Sequence, residues 1–322
     1  MKPTFHHRLV NNFFEDPCVY VRVLREKRAF LFDLGDISRL SPSDIQKISD
    51  VFVTHTHIDH FIGFDILLRA LLRRESPLRI FGPANIIGCV EGKLKGYTWN
   101  LIKEYPLKIE VFGIEETLVR HSGFYAENRF DRIDHDERPF DGLVLKEPLF
   151  EIRAECLTHQ IPCLGFSLKE DFHINIDKAA LGRLELPVGP WLTKFKKAIR
   201  ENAPEDMEFA ISGKKRSMKE LKEIAAITKG QKVSYISDSS MDESNIKKII
   251  AFVKNSDTLY CEAYFLEEDR ERAMERHHLT AKTAGMIARE AGVTNLVAMH
   301  FSPKYRECPD APKKEALMEY NR

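Results

Sequence analysis

The ten residues Val51-Phe52-Val53-Thr54-His55-Thr56-His57-Ile58-Asp59-His60 (VFVTHTHIDH) end in three histidines and an aspartate, directly after a β-branched and aromatic run. The run reads as a buried strand. In extended backbone beyond it, His55 and His57 share one face because Thr56 separates them. The chain then turns at Ile58 and brings Asp59 and His60 in ahead of a helical segment. Burying three imidazoles and a carboxylate without partners is costly. An H-x-H-x-D-H cluster is therefore hard to place without a cation, and its nitrogen and oxygen donors favour zinc over magnesium or calcium.

One such motif cannot fill two metal sites, so its complement must come from elsewhere in the chain. His159 follows the strand-like Phe150–Leu157 in CLTHQIPCLGF, Asp238 follows Val233–Ser237 in VSYISDS, and His300 ends Leu296–Met299 in LVAMHFSPKY. Each is a polar residue just past an apolar strand, and ligands in open α/β architectures gather outside the carboxyl ends of strands. Together with His55, His57, Asp59 and His60 they supply the seven ligands of a two-metal site.

The chain of 322 residues can bury a large core and is read as one domain spanning 1–322. Its 49 basic and 49 acidic residues balance, so no global charge advertises a nucleic-acid or membrane partner. No apolar run is long enough to span a bilayer, and the polar stretch MKPTFHHRLV lacks the apolar region of a signal peptide. The six cysteines are scattered without a CxxC pair and read as reduced, which leads to the expectation of a cytoplasmic protein.

Strand-like and helix-like segments alternate. Val19–Leu24 and Ala29–Leu34 flank the turn-like Arg25-Glu26-Lys27, which predicts a hairpin. Ser43 is expected to cap a short helix through Ile48, ahead of a strand Val51–Thr54. Phe61–Arg74 has helical periodicity, and Leu78–Phe81 reads as a strand. Further strands are expected at Phe150–Leu157, Leu164–Leu168, Val233–Ser237, Thr258–Glu262 and Leu296–Met299, with helices at Asp242–Lys254 and Thr280–Ala291. Interleaved strands and helices argue for an α/β sandwich. The stretch Trp191–Lys232 stands apart, with 11 Lys or Arg against 6 Asp or Glu. It holds Lys194, Lys196, Lys197 and Arg200, then the run Lys214-Lys215-Arg216, and it interrupts the strand pattern. An insertion or projecting arm over about residues 183–232 is the expectation; a plain solvated helical surface is the other reading.

These segments resemble the metallo-β-lactamase superfamily and, within it, the ribonuclease Z family of endonucleases that mature tRNA 3′ ends. The resemblance runs from about Phe30 to Tyr305. FDLGD is similar to the strand-end Asp-x-Gly before the metal motif, which implies a supporting role for Asp33 behind the ligands. THTHIDHFIGFDILL resembles the metal loop and following helix, RIFGP the next strand and turn, and LTHQIPCLGFSL the segment with the third histidine. DKAALGRLELPVGPWLTKFK is similar to the Gly-Pro segment, here Gly189-Pro190, that leads a flexible tRNA-binding arm. HLTAKTAGMIAREAGVTNLVAMHFSPKY resembles the HST loop, its helix and the last metal-binding histidine. There are departures. The glycine-rich N-terminal GTG stretch is missing, the Gly-Asp-Thr around the aspartate reads Ser237-Asp238-Ser239, HEAT reads Cys261-Glu262-Ala263-Tyr264, and HST reads His278-Leu279-Thr280.

The resemblance implies an αββα sandwich with a projecting arm. It also implies two zinc ions per chain, with manganese or iron as the alternative metals. His55, His57 and His159 would hold one ion, Asp59, His60 and His300 the other, and Asp238 would bridge them. Such a pair activates water for in-line attack on phosphorus. Asp59 could orient that water. His278, poised by Glu262, would protonate the departing 3′ oxygen. The substrate implied is precursor tRNA or another RNA, gripped by Gly189, Pro190, Lys194, Lys196, Lys197, Lys214, Lys215 and Arg216. A homodimer is implied as well, in which one subunit's arm serves the other's active site. The altered rim motifs keep an alternative open: a small-molecule hydrolase acting on a cyclic nucleotide, another phosphodiester, a sulfate ester or a lactone. A metal-bearing RNA-binding protein without catalysis is disfavoured because all seven ligands are present.

Overall fold

Alternation along the strand Arg28–Phe32 decides the layering. Ala29 and Leu31 join an apolar cluster with Phe64, Leu67 and Leu71 of the helix Phe64–Leu71 and with Ile86 and Val90 of the helix Ile86–Lys95. Phe32 points to the opposite face, where its ring stacks on Phe166 and Tyr235 at centroid distances of 6.0 and 5.7 Å. Those two rings belong to strands Pro162–Glu170 and Lys232–Ile236 of a second sheet. Beyond that sheet, Ile236, Leu259 and Ala298 pack with Ile249 and Val253 of Glu243–Val253 and with Ala284 and Ile287 of Ala281–Glu290. Helices thus cover the outer faces of two sheets whose inner faces meet through aromatic rings. This is the expected αββα sandwich. The structure is a computed structural model that describes residues 3–24 and 26–322. Met1, Lys2 and Arg25 of the expected turn lie outside the described residues.

The first sheet runs in the order Phe5–Leu9, Val19–Val23, Arg28–Phe32, Ile48–Phe52, Leu78–Pro83, Lys108–Ile114, Leu118–Tyr125 and Arg132–Asp134. The second runs Leu143–Lys146, Phe150–Thr158, Pro162–Glu170, Lys232–Ile236, Thr258–Glu262 and Leu296–Met299. Its last three strands are parallel, with Ile236 beside Cys261 and Cys261 beside Ala298. Their carboxyl ends therefore release Asp238, Glu262 and His300 at one rim, the place where such sheets gather ligands.

Local chemistry shifts some expected boundaries. Ser41, not Ser43, caps the helix Pro42–Ile45, because its hydroxyl accepts from Asp44 N at 3.1 Å. The expected helix Phe61–Arg74 is divided into Ile58–Phe61 and Phe64–Leu71. Gly63 lies between them, where a Cβ would meet Gly35 O at 2.2 Å, so the backbone approaches too closely for any side chain. Among the described residues no helix is long and apolar enough to cross a membrane.

The chain divides into two compact units, the sandwich and a unit built chiefly from Lys169–Gln231, wider than residues 183–232. In the latter, Phe172–Ile176 pairs antiparallel with Ala225–Lys229. Between those strands lie the helices Lys178–Arg183 and Trp191–Arg200 and the hairpin Glu208–Ile211 with Lys214–Ser217. Trp191, Phe195, Phe209, Ile211 and Leu221 form a core of its own. Pro190 precedes the helix Trp191–Arg200, with Gly189 before it. Lys197, Lys215 and Arg216 face Glu201, Glu208 and Glu220 at 3.7, 2.6 and 3.5 Å, and Lys196 Nζ donates to Ile174 O. Lys194 and Lys214 are exposed.

Candidate metal centre

The ligand loop begins where one carboxylate diverts the backbone from the sheet. Val53 N still donates to Phe81 O at 2.7 Å, but Thr54 N turns to Asp33 Oδ1, also at 2.7 Å. His55 follows, fully buried, and His57 is the extended residue before the helix Ile58–Phe61. Asp59 and His60 enter on the first turn of that helix.

Asp33 also accepts from Tyr235 Oη and from His60 Nδ1, each at 2.8 Å, and from Thr54 Oγ1. With its Nδ1–H committed to this carboxylate, His60 presents Nε2 to the centre. His159 is oriented in the same way, donating Nδ1–H to His277 O at 2.8 Å. Left-handed backbone recurs here: φ is 56° at Asp33, 36° at Asp238, 56° at His277 and 54° at His300. That geometry costs on the order of 1–2 kcal/mol at a non-glycine residue, and its concentration in one place accompanies functional sites.

Two donor groups result. His55, His57, His159 and Asp238 each bring an atom to within 4.8 Å of one another, and Asp59, His60 and His300 do the same. Asp238 faces both. Its Oδ2 lies 3.6 Å from His55 Nε2 and 3.9 Å from His159 Nε2. Its Oδ1 lies 3.5 Å from His60 Nε2 and 2.8 Å from His300 Nδ1. Asp59 Oδ2 is 3.4 Å from Nε2 of both His60 and His300. Yet His60 Nε2 and His300 Nδ1 are buried without a hydrogen-bond partner, so closeness to Asp238 brings no aligned bond. Buried ring nitrogens crowded on carboxylates in this way are satisfied by a cation. Five imidazoles and two carboxylates fit a binuclear metal site.

The electrostatics agree. Burial, and then the neighbouring His60, push the His55 pKa down to about 2, which keeps its lone pair available. Burial would also lower His60, but the Asp238 and Asp33 carboxylates outweigh it and raise the value to about 10. His300 is raised by Asp238 against its own burial. Asp59 and Asp238 are held below the usual carboxylate range by His300 and His60, again against burial. The carboxylates thus favour positive charge at the place where a cation would sit.

Beside the first group, His278 Nδ1 lies 2.8 Å from Glu262 Oε2 and 3.9 Å from Asp238 Oδ2. Glu262 is fully buried and anchored through Oε1, which accepts from Ser239 N at 2.6 Å and Leu279 N at 3.3 Å. Burial lowers the His278 pKa, but the Glu262 carboxylate more than offsets this and raises it. All the residues read from sequence as ligands or as the proton-donor pair therefore come together. Sequence reasoning misses Tyr264, whose ring stacks on His278 at 4.1 Å and 11°, and Tyr235, the donor to Asp33. Tyr264 stands two residues after Glu262, where the altered HEAT segment carries a ring in place of its last residue.

No protein-family model matches the chain. Solved structures nevertheless align along nearly its whole length. The metallo-β-lactamase fold protein YhfI of Bacillus subtilis superposes with a TM-score of 0.58 at 16% identity, covering 98% of this chain and 93% of that one. Human tRNase Z, short form, superposes with a TM-score of 0.54 at 18% identity, covering 93% of each chain. The fold is thus that of the metallo-β-lactamases, with two groups of metal-type ligands at the strand ends. In sequence, ribonuclease Z of Deinococcus radiodurans is 30% identical over 283 residues, 86% of this chain and 83% of that protein. Ribonuclease Z of Nanoarchaeum equitans is 29% identical over 288 residues, 87% of this chain and 76% of that protein. The chain belongs to the ribonuclease Z family and is an endoribonuclease.

Proposed function

We propose that this endoribonuclease removes the 3′ trailer from precursor tRNA in the cytoplasm, as a homodimer with two zinc ions per chain. The observation that carries the reading is Asp238, whose two carboxylate oxygens face different donor groups, in a chain of the ribonuclease Z family. His55, His57 and His159 would hold one ion and Asp59, His60 and His300 the other, with Asp238 shared and Asp33 fixing His60. Zinc suits the imidazole-rich donor set better than manganese or iron, which favour more oxygen or open facial sites. When bound, such a pair lowers the pKa of water and offsets charge developing on a phosphoryl group.

The protein's own groups do the rest. Glu262 holds the Nδ1–H of His278, so Nε2 carries the proton given to the departing 3′ oxygen. Tyr264, stacked on the ring, keeps its plane fixed. Asp59, besides its ligand role, orients the attacking water. The unit Lys169–Gln231, with exposed Lys194 and Lys214 and with Lys196, Lys197, Lys215 and Arg216, supplies phosphate contacts for RNA, led by Gly189-Pro190.

Incubating the metal-loaded protein with a precursor tRNA tests this. The expected products are a tRNA ending in a 3′ hydroxyl and a trailer bearing a 5′ phosphate, with activity removed by a chelator and restored by zinc. A protein that leaves the trailer intact while hydrolysing bis(p-nitrophenyl) phosphate would overturn the substrate. Restoration by manganese or iron but not zinc would overturn the metal.

A further inference from the structure

A second set of metal-type side chains lies apart from the centre at the strand ends. Glu110, His121 and His135 each bring a donor atom to within 4.8 Å of one another. Sheet register explains the convergence. Glu110 pairs with Gly123 and Phe112 with His121, so alternation puts Glu110, Phe112, His121, Gly123 and Tyr125 on one face. His135 follows the strand Arg132–Asp134, whose Ile133 pairs with Gly123, and its N–H donates to His121 O at 2.9 Å.

Two features prepare the place. A Cβ on Gly123 would meet Tyr125 Oη at 2.5 Å and His135 Nε2 at 2.9 Å, so the missing side chain clears the space these groups occupy. An aromatic ladder Phe52, Phe81, Phe112, with centroid steps of 5.0 and 4.6 Å, ends on His121, whose ring lies 4.3 Å from Phe112 and within 12° of parallel. His121 Nε2 is 2.7 Å from Glu110 Oε2, and its ring centroid is 4.5 Å from that of His135. Tyr125 Oη donates to the other carboxylate oxygen, Oε1, at 3.0 Å and lies 3.2 Å from His135 Nε2.

We propose that Glu110, His121 and His135 bind a divalent transition-metal ion of their own, zinc or one with zinc's preference for imidazole. Two imidazoles and one carboxylate are a known three-residue zinc set, which leaves a position open to solvent. Tyr125 orients the Glu110 carboxylate, the kind of outer contact that steadies a ligand. The ion would tie the chain at the end of Arg132–Asp134 to the sheet beneath it.

Zinc itself is the probe. The full-length protein, saturated with zinc and desalted, is compared by elemental analysis with His135→Ala, His121→Ala and Glu110→Gln. Wild type is expected to retain about one more zinc per chain than each variant. The exposed His6→Ala should match wild type, because His6 belongs to no such group. His135 is exposed at the end of an edge strand, so His135→Ala tests the site even if His121→Ala fails to fold. Equal zinc in wild type and His135→Ala would overturn the proposal, as would an equal loss in His6→Ala. Precursor cleavage by His135→Ala should be unchanged, which separates this site from the catalytic centre.

Discussion

Two neighbours fix the orientation of His278: the buried Glu262 holds its Nδ1–H, and Tyr264 stacks on its face. His278 is not one of the seven proposed ligands, so His278→Ala should leave metal content intact while slowing precursor-tRNA cleavage by about 10²–10⁴, the usual loss for a general acid. Hydrolysis of bis(p-nitrophenyl) phosphate should fall far less, because p-nitrophenolate departs without a proton. Equal losses on both substrates would exclude proton donation by His278. Among single residues, the ligands are legible because four of them share a run of six positions, and burying that many imidazoles and carboxylates together is costly without a cation. Asp33 and Glu262 are legible only through the family resemblance, and the tyrosine that holds Asp33 is not legible at all. Tyr235 and Asp33 are 202 positions apart, and only the meeting of the two inner sheet faces joins them.

Asp242 shows how an element's end supports the site. Its Oδ1 accepts from Asn245 N at 2.9 Å and Ser244 Oγ at 2.7 Å, capping the helix Glu243–Val253, while Oδ2 accepts from Ser240 Oγ and from Thr158 Oγ1 at 2.9 Å. Thr158 directly precedes His159. Partial burial raises the Asp242 pKa, but these hydrogen bonds, led by Ser240, hold it well below the usual carboxylate range. A depressed folded-state pKa stabilises above the unfolded value, ~3.9, and the contribution is lost as pH falls through the folded value. Asp242→Ala is therefore expected to lower stability at neutral pH by about 0.5–2 kcal/mol, measured by urea unfolding. The gap to wild type should narrow below about pH 4; a gap independent of pH would contradict the charged cap. The strands Thr258–Glu262 and Leu296–Met299 are legible from sequence to the residue, because parallel strands covered on both faces read as short apolar runs. The pair Lys108–Ile114 and Leu118–Tyr125 is not, because Glu110 and His121 occupy the face that would otherwise be apolar.

The chain as a whole divides into two compact units. The segment Lys169–Gln231 has its own apolar core, which sequence reasoning missed because its short elements are separated by turns and charged runs such as Lys214-Lys215-Arg216. Glu170 N donates to Gln231 O at 2.8 Å, so Phe172–Lys229 can be removed and Asp171 joined to Gly230 with the flanking backbone already adjacent. That deletion should weaken precursor-tRNA binding at least about 10-fold and flatten its salt dependence. Hydrolysis of a small phosphodiester should survive. Unchanged tRNA affinity would mean that this unit is not the RNA grip. Everything proposed for catalysis rests on two cations held by Asp238 and the six side chains around it, an arrangement that anomalous diffraction can test. Data collected on either side of the zinc edge, from crystals grown without added metal, should give one peak among His55, His57 and His159 and another among Asp59, His60 and His300, with the Asp238 carboxylate between them. A single peak in this region, or an Asp238 carboxylate turned away from the histidines, would contradict the binuclear assignment.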